Sequence, residues 1–221
     1  MGSAKPAAVR LALIEAAAHI IATEGVAALT LRRVADDVGT STMAVYTHFG
    51  GMPELRRAVR REGFARLAAR LLTIARTKDP VADLGVLGLA YYANATDNPE
   101  LYRVMFMEQP IDDVEAGIGW DTFDSLVAGV RRCLDAGRFA PADERDLATQ
   151  LWALAHGMAS LRLARLLDPA QAFAGFGGAA LGLFTSYGDD RASAQASLQR
   201  ALQRSSPAKP GRARRQGQRA R

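Results

Sequence analysis

Apolar residues recur at helical spacing along nearly the whole chain, and the alternating β-branched runs that mark strands are absent. The pattern predicts an all-α fold. From Val9 to Glu24, residues Ile14, Ala17, Ala18 and Ile21 share one face, and Gly25 is the expected stop. Thr30 can cap a short second helix, Leu31 to Val38, whose Leu31, Val34, Ala35 and Val38 lie together before Gly39 ends it. A third short helix, Thr42 to Phe49, sets Val45 and Phe49 four apart on the buried side, leaving Thr42, Met43, Tyr46 and Thr47 outward. After Gly50 and Gly51, Pro53 suits the first turn of a long fourth helix, which should reach about Arg76 before Asp79-Pro80 stops it. Further helices are predicted at Ala82 to Thr96, Pro99 to Glu108, Trp120 to Ala136, Ala142 to Leu167 and Pro169 to Tyr187, about nine in all. Ile111 to Gly119 reads as the internal loop. Three regions follow: a three-helix head over residues 1–56, a helical body over 57–190 joined to it through the fourth helix, and a disordered basic tail over 191–221.

The 221 residues carry 28 Lys or Arg against 23 Asp or Glu, a net charge of +5, and 49% are hydrophobic. Such a composition supports a real core and excludes a disordered chain. The charge is unevenly placed. Residues 191–221 hold nine basic groups and no acidic one, residues 1–66 carry +3, and residues 67–190 carry −7. Two basic ends around an acidic body predict a polyanion partner, because Lys and Arg that meet phosphates release counterions. For the tail itself, an auxiliary nucleic-acid contact and a merely solubilising role are both open. Cys133 stands alone, so neither an intramolecular disulfide nor a zinc site on paired cysteines can form, and no signal-peptide core opens the chain. A cytoplasmic location is expected.

Catalytic constellations are missing. The histidines at 19, 48 and 156 are scattered, and neither G-x-S-x-G nor H-E-x-x-H occurs, so no enzyme activity, metal or cofactor is expected. Gly175 to Ala180 fits a loose G-x-G-x-x-A fingerprint, but no strand precedes it. Residues 169–188 are uncharged, yet their glycines and polar side chains make a poor bilayer span, and close helix packing around Gly178 and Gly182 explains them better. No membrane partner is expected.

Two short helices joined by a tight turn, the second exposing small polar and aromatic side chains, form a helix-turn-helix pattern. Ser41 and Thr42 at the start of the second helix can offer hydroxyls and backbone N–H groups to phosphates, while side chains at 43, 44 and 47 approach base edges. Spacing alone leaves a helical hairpin that merely packs as an equal alternative.

The segment Ala28-Leu29-Thr30 through Val34-Ala35-Asp36-Asp37-Val38-Gly39-Thr40-Ser41, followed by Val45-Tyr46-Thr47-His48-Phe49, resembles the DNA-binding domain of the TetR family over roughly residues 10–56. The resemblance implies phosphate contacts from Thr30, Thr42, Tyr46 and His48, and base-edge contacts from Arg32, Met43, Ala44 and Thr47, of which Met43 and Ala44 can make only apolar ones. One position departs from the family: a phosphate-binding lysine usually opens the fourth helix, and here that residue is Met52, with Arg56 or Arg57 as candidate replacement. Arg56, Arg57, Arg60 and Arg61 otherwise read as a solvated face, and His19 as a half-buried helix residue.

The body resembles a narrower group of the family with a Trp-His-Gly signature, seen in Trp152-Ala153-Leu154-Ala155-His156-Gly157 and in Asn98 to Phe106. This implies a homodimer formed by the last two helices of the body, a double-stranded DNA operator and a small-molecule effector. Tyr91, Tyr92, Phe106, Trp120, Phe123 and Trp152 are candidate cavity residues for an apolar or aromatic effector. His156, one turn from Trp152, is either a hydrogen-bonding group in that cavity or a satisfied core residue, and Gly157 is expected to allow a close helix approach. The function implied is a ligand-released homodimeric repressor; the alternative is an all-α small-molecule-binding protein or enzyme without DNA binding.

Overall fold

Short polar side chains open most of the helices in the computed structural model, which describes residues 6–205. The first, α1 (Pro6–Glu24), starts slightly ahead of its apolar pattern, since proline is tolerated in an opening turn. Although α1 is long and apolar enough by length and composition to cross a membrane, its Leu13, Ile14, Ala17, Ala18, Ile20 and Ile21 are buried in a core. Thr30 Oγ1 accepts from Arg33 N (3.2 Å) to cap α2 (Leu31–Val38), and Ser41 Oγ accepts from Ala44 N (3.2 Å) to cap α3 (Thr42–Phe49). Between them Gly39 takes φ 72° and ψ 37°, a left-handed turn that side chains resist, so the two helices cross instead of merging.

The long α4 (Met52–Leu72) stops one turn short of the predicted Arg76, where the Thr73 hydroxyl donates to Arg70 O. The chain then forms α5 (Pro80–Asp97), α6 (Pro99–Phe106), α7 (Asp113–Ala116), α8 (Trp120–Asp135), α9 (Glu144–Leu163), α10 (Pro169–Ser186) and α11 (Arg191–Ser205). The described residues thus hold eleven α-helices and no strand, two helices more than predicted. One addition, α7, is a single turn inside the expected loop, capped by Asp112 at Glu115 N.

The other addition is a correction. Residues 191–205, expected in a disordered tail, form α11, whose Ala194, Ser197 and Ala201 are buried against α5. Ala201 packs on Gly85, where any added Cβ would come within 2.9 Å of the Ala201 methyl. Two of the basic residues that suggested a tail are neutralised here: Arg200 pairs with Asp79, and Arg204 with Asp83. Residues 206–221, the rest of the predicted tail, lie outside the described residues.

Apolar burial divides between a head core and a body core. Leu13, Ile14, Val34, Val45, Phe49, Leu55 and Val59 form the first, joined by Leu101 and Val104 of α6; helices α5 and α8–α11 build the second. α4 and α6 contribute to the head core and also pack on α5 of the body. They approach closely at Gly63, where a Cβ would lie 2.5 Å from Met105 Sδ.

Asp83 anchors the body core at its α11 end. Burial alone would raise its carboxyl, but the Thr77 N–H (2.8 Å), Arg204 (2.6 Å) and Arg132 (2.8 Å) outweigh that and hold it at about 2. A depressed carboxyl stabilises the fold above the unfolded-state value, and the contribution is lost as pH falls towards 2. Asp83→Asn is expected to cost about 2 kcal/mol at pH 7, and the gap from the parent protein should narrow below pH ~4. Urea unfolding curves at stepped pH check both the size and the narrowing.

Candidate nucleic-acid interface and internal cavity

α3 is anchored by its inward pair, Val45 and Phe49, with the Arg10 guanidinium 5.2 Å above the Phe49 ring centre. With that side fixed, Thr42, Met43, Tyr46 and Thr47 face solvent, and Met43 and Tyr46 are 70% and 51% exposed. An exposed Met and Tyr on one short helix make an apolar patch flanked by hydroxyls, a surface suited to base methyl groups and phosphates. The caps remain chemically available, because Thr30 and Ser41 use their oxygens as acceptors and keep their O–H groups to donate. Thr47 differs: its hydroxyl donates to Met43 O (2.9 Å), leaving the oxygen as an acceptor. Ala44 and His48 are half-buried on the flanks of the patch. Arg32 sits 3.8 Å from Asp36 with both side chains largely in water, a pairing too weak to withhold it from another partner.

Sequence reading missed the brace behind this surface. Arg33 donates two 2.6 Å hydrogen bonds to Glu24, locking the start of α2 to the end of α1.

The arginines of α4 require a correction, because they are not a solvated face. Met52 packs half-buried against the head core, and neither candidate replacement is free. Arg56 donates to Gln109 O (3.1 Å), and Arg57 pairs with Glu54 and Asp112. Arg60 is buried: its Nη2 donates to Met105 O (2.8 Å) and Glu108 O (3.0 Å), and its Nη1 lies 3.6 Å from Glu115 Oε1. Three successive arginines thus clamp residues 105–112 onto the opening turns of α4. Only Arg61, 3.4 Å from Glu54, keeps substantial exposure.

Behind the clamp lies a cavity of about 250 Å³. Phe64, Leu67 and Leu71 of α4 form one wall, Gly85, Gly88 and Tyr91 of α5 another, and Phe123, Trp152, Phe176 and Leu198 enclose the rest. Of the predicted residues, Tyr91, Phe106, Trp120, Phe123 and Trp152 line it, with Trp120 half in solvent. Two do not. Tyr92 turns to a small cluster with Ala95, Tyr102 and Ala159. His156 lies one layer out, its Nδ1 within 2.8 Å of Tyr102 OH and 3.1 Å of Tyr91 OH, and burial lowers its pKa. It therefore fixes Tyr91 from behind in neutral form. Burial likewise pushes the Tyr91 phenol well above its ordinary value, so it stays a neutral hydroxyl. Gly157, expected at a close helix approach, has open space around its would-be Cβ.

The α4 wall had a readable signal. Arg60, Phe64, Leu67 and Leu71 follow the i, i+4, i+7, i+11 spacing of a single helix face. The contribution of Leu198 was missed because it depended on recognising α11, whose apolar spacing was passed over for its charge.

Residue contacts also connect this region to the head. Arg103 of α6 donates to Ala22 O (3.0 Å), Arg66 reaches Glu15 (2.9 Å), and His19 bonds Glu100 (2.7 Å). His19 is exposed and not half-buried, and Glu100 raises its pKa by hydrogen bonding and charge.

No curated protein matches the chain significantly. Among solved structures, a protein of unknown function from Rhodococcus sp. RHA1 shares 26% identity, covers 85% of this chain and 96% of its own, and superposes with a TM-score of 0.70. A TetR transcription regulator from Haloarcula marismortui ATCC 43049 has 20% identity, coverage of 82% and 98%, and a TM-score of 0.67. RolR, solved with resorcinol, has 15% identity, coverage of 87% and 94%, and a TM-score of 0.54. Residues 13–59 match the family model described as bacterial regulatory proteins, tetR family. Residues 84–176 match the tetracyclin repressor-like C-terminal domain, a span that includes Trp152, His156 and Gly157. With head and body each matched, the chain belongs to the TetR family of DNA-binding transcriptional regulators.

Proposed function

We propose that this regulator is a cytoplasmic homodimeric repressor, held on a near-palindromic operator through two copies of α3 and released when an apolar or aromatic molecule fills the cavity. The observation that carries the reading is that α4 both backs the head core and walls the cavity. Two reading helices must match successive major grooves about 34 to 36 Å apart, so a ligand that shifts α4 changes their separation and lowers operator affinity. A decisive switch needs several kcal/mol of preference for the spread state, up to about 5.5 for a 1:99 to 99:1 inversion. A largely apolar cavity supports that requirement, and RolR, whose fold is shared, was solved with the aromatic resorcinol.

On the DNA side, Thr30, Ser41, Thr42, Tyr46 and His48 are proposed for phosphates, and Arg32, Met43, Ala44 and Thr47 for base edges. Tyr46→Ala should weaken binding to specific and scrambled duplexes alike. Arg32→Ala should cost about 1 to 3 kcal/mol on the operator and relax preference at one base pair. Gel-shift titrations on operators selected from a random pool check both; unchanged affinity in both variants rejects the assignment.

For the dimer, α10 presents Ala174, Gly178, Gly182 and Ser186 to solvent at four-residue spacing, with Phe173 exposed beside them and Leu161 and Leu166 exposed at the end of α9. Small residues in such a row let a partner helix approach closely. A Cβ at Gly182 meets nothing within 4 Å, so Gly182→Arg leaves the protomer intact while blocking that approach. Sedimentation should show a monomer with unchanged circular dichroism, and operator affinity should fall by more than tenfold because the two heads no longer bind together.

A further inference from the structure

One residue of the cavity lining, Arg60, carries a polar group whose bonding is unfinished. Arg60 is the only charged residue among the described residues lining the cavity, and its side chain is 7% exposed. Nη2 is fully occupied by Met105 O and Glu108 O, whereas Nη1 is buried with no hydrogen-bond partner. A buried N–H without an acceptor is costly, and a guanidinium can only donate, so an occupant that brings an oxygen acceptor relieves the deficit. The charge of that acceptor also follows. Glu115 Oε1, 3.6 Å from Nη1, already balances the cation, and Glu115 itself is 2% exposed and fixed by Ile111 N (2.9 Å). A second carboxylate would be buried beside it as an excess negative charge, at a desolvation cost that a lone shared guanidinium does not offset.

We infer that the effector is an uncharged, largely apolar or aromatic molecule bearing one oxygen acceptor, a ketone, ester, amide or phenol, and that Arg60 Nη1 is the donor that recognises it. This rests on the reading of the cavity as the effector site. The position gives the contact a consequence beyond affinity. The same guanidinium that takes the ligand oxygen holds the C-terminal carbonyls of α6, and α6 contributes Leu101 and Val104 to the head core. An acceptor on Nη1 therefore acts on the link between body and head, while a hydrocarbon of the same shape only fills space.

Three isosteric probes separate the possibilities on the full-length protein: 2-acetylnaphthalene, 2-isopropenylnaphthalene and 2-naphthoate, measured by equilibrium dialysis. The ketone should bind about tenfold tighter than the hydrocarbon, despite being the less hydrophobic of the two, and tighter than the carboxylate. Arg60→Met should reverse the order of ketone and hydrocarbon. Glu115→Gln, which keeps an oxygen for Ile111 N, should raise naphthoate affinity about tenfold by unbalancing the cation. Ketone and hydrocarbon binding equally to the parent protein would overturn the role of Arg60 while leaving the cavity as an effector site. Naphthoate binding tightest to the parent would overturn the uncharged class. Binding of none of the three would reject the cavity reading itself, and the inference with it. Because the probe series is read on the unaltered chain, failure of Arg60→Met to fold does not remove the test.

Discussion

A guanidinium taken out of water must be met by acceptors where it stands, and Arg60 meets them at the end of another helix. Its Nη2 satisfies carbonyls of Met105 and Glu108, where α6 runs out and its last C=O groups have no intrahelical donors. Each side solves the other's problem: the cation needs oxygens, and the helix end carries partial negative charge. Arg56 and Arg57 extend the same fastening to Gln109 and Asp112. Loss of a partner from such a buried arrangement typically costs 3 to 5 kcal/mol, much more than an exposed ion pair. The register between α4 and α6 is thus set by electrostatics at one end and by close contact at Gly63 farther along.

That register ties the head to the cavity. Leu55, Ala58 and Val59 of α4 belong to the head core, and Phe64, Leu67 and Leu71 of the same helix line the cavity. α6 repeats the arrangement, giving Leu101 and Val104 to the head and Met105 and Phe106 to the cavity. Two helices crossing the same boundary side by side leave little room for head and body to move independently. Around α3 the supports are short and local: the Thr30 and Ser41 caps, the Gly39 turn and the Arg33–Glu24 brace. Because none of these depends on the body, the exposed face of α3 keeps its shape while its placement follows α4.

The head was the most legible part of the chain. Its caps, left-handed glycine and four-residue apolar spacing are local signals, and Val45 and Phe49 lie inward as that spacing requires. Five of the seven residues expected around a cavity are found on its wall, since large apolar side chains in a helical body have few other destinations. His156 was not, because whether a histidine faces a void or a tyrosine depends on the crossing of α5, α6 and α9. The α4 arginines misled for a related reason: Arg57 and Arg60 resemble solvated residues until Asp112 and the carbonyls of residues 105 and 108 arrive from far along the chain. In α11, a run of basic side chains masked Ala194, Ser197, Leu198 and Ala201, a face with clear helical spacing. Net charge is a property of composition, whereas Arg200 and Arg204 are matched one by one to Asp79 and Asp83.

The placement of Leu198 separates two kinds of inheritance. It brings the last described helix to the wall of a void whose opposite side begins at Arg60, so the outline of that void is drawn by residues far apart along the chain. Substitutions at 198, or exchange of the segment that carries it, can recut the shape of the chamber without altering a side chain of the head. A lineage built this way is free to remodel its interior while the surface of its head stays as it was.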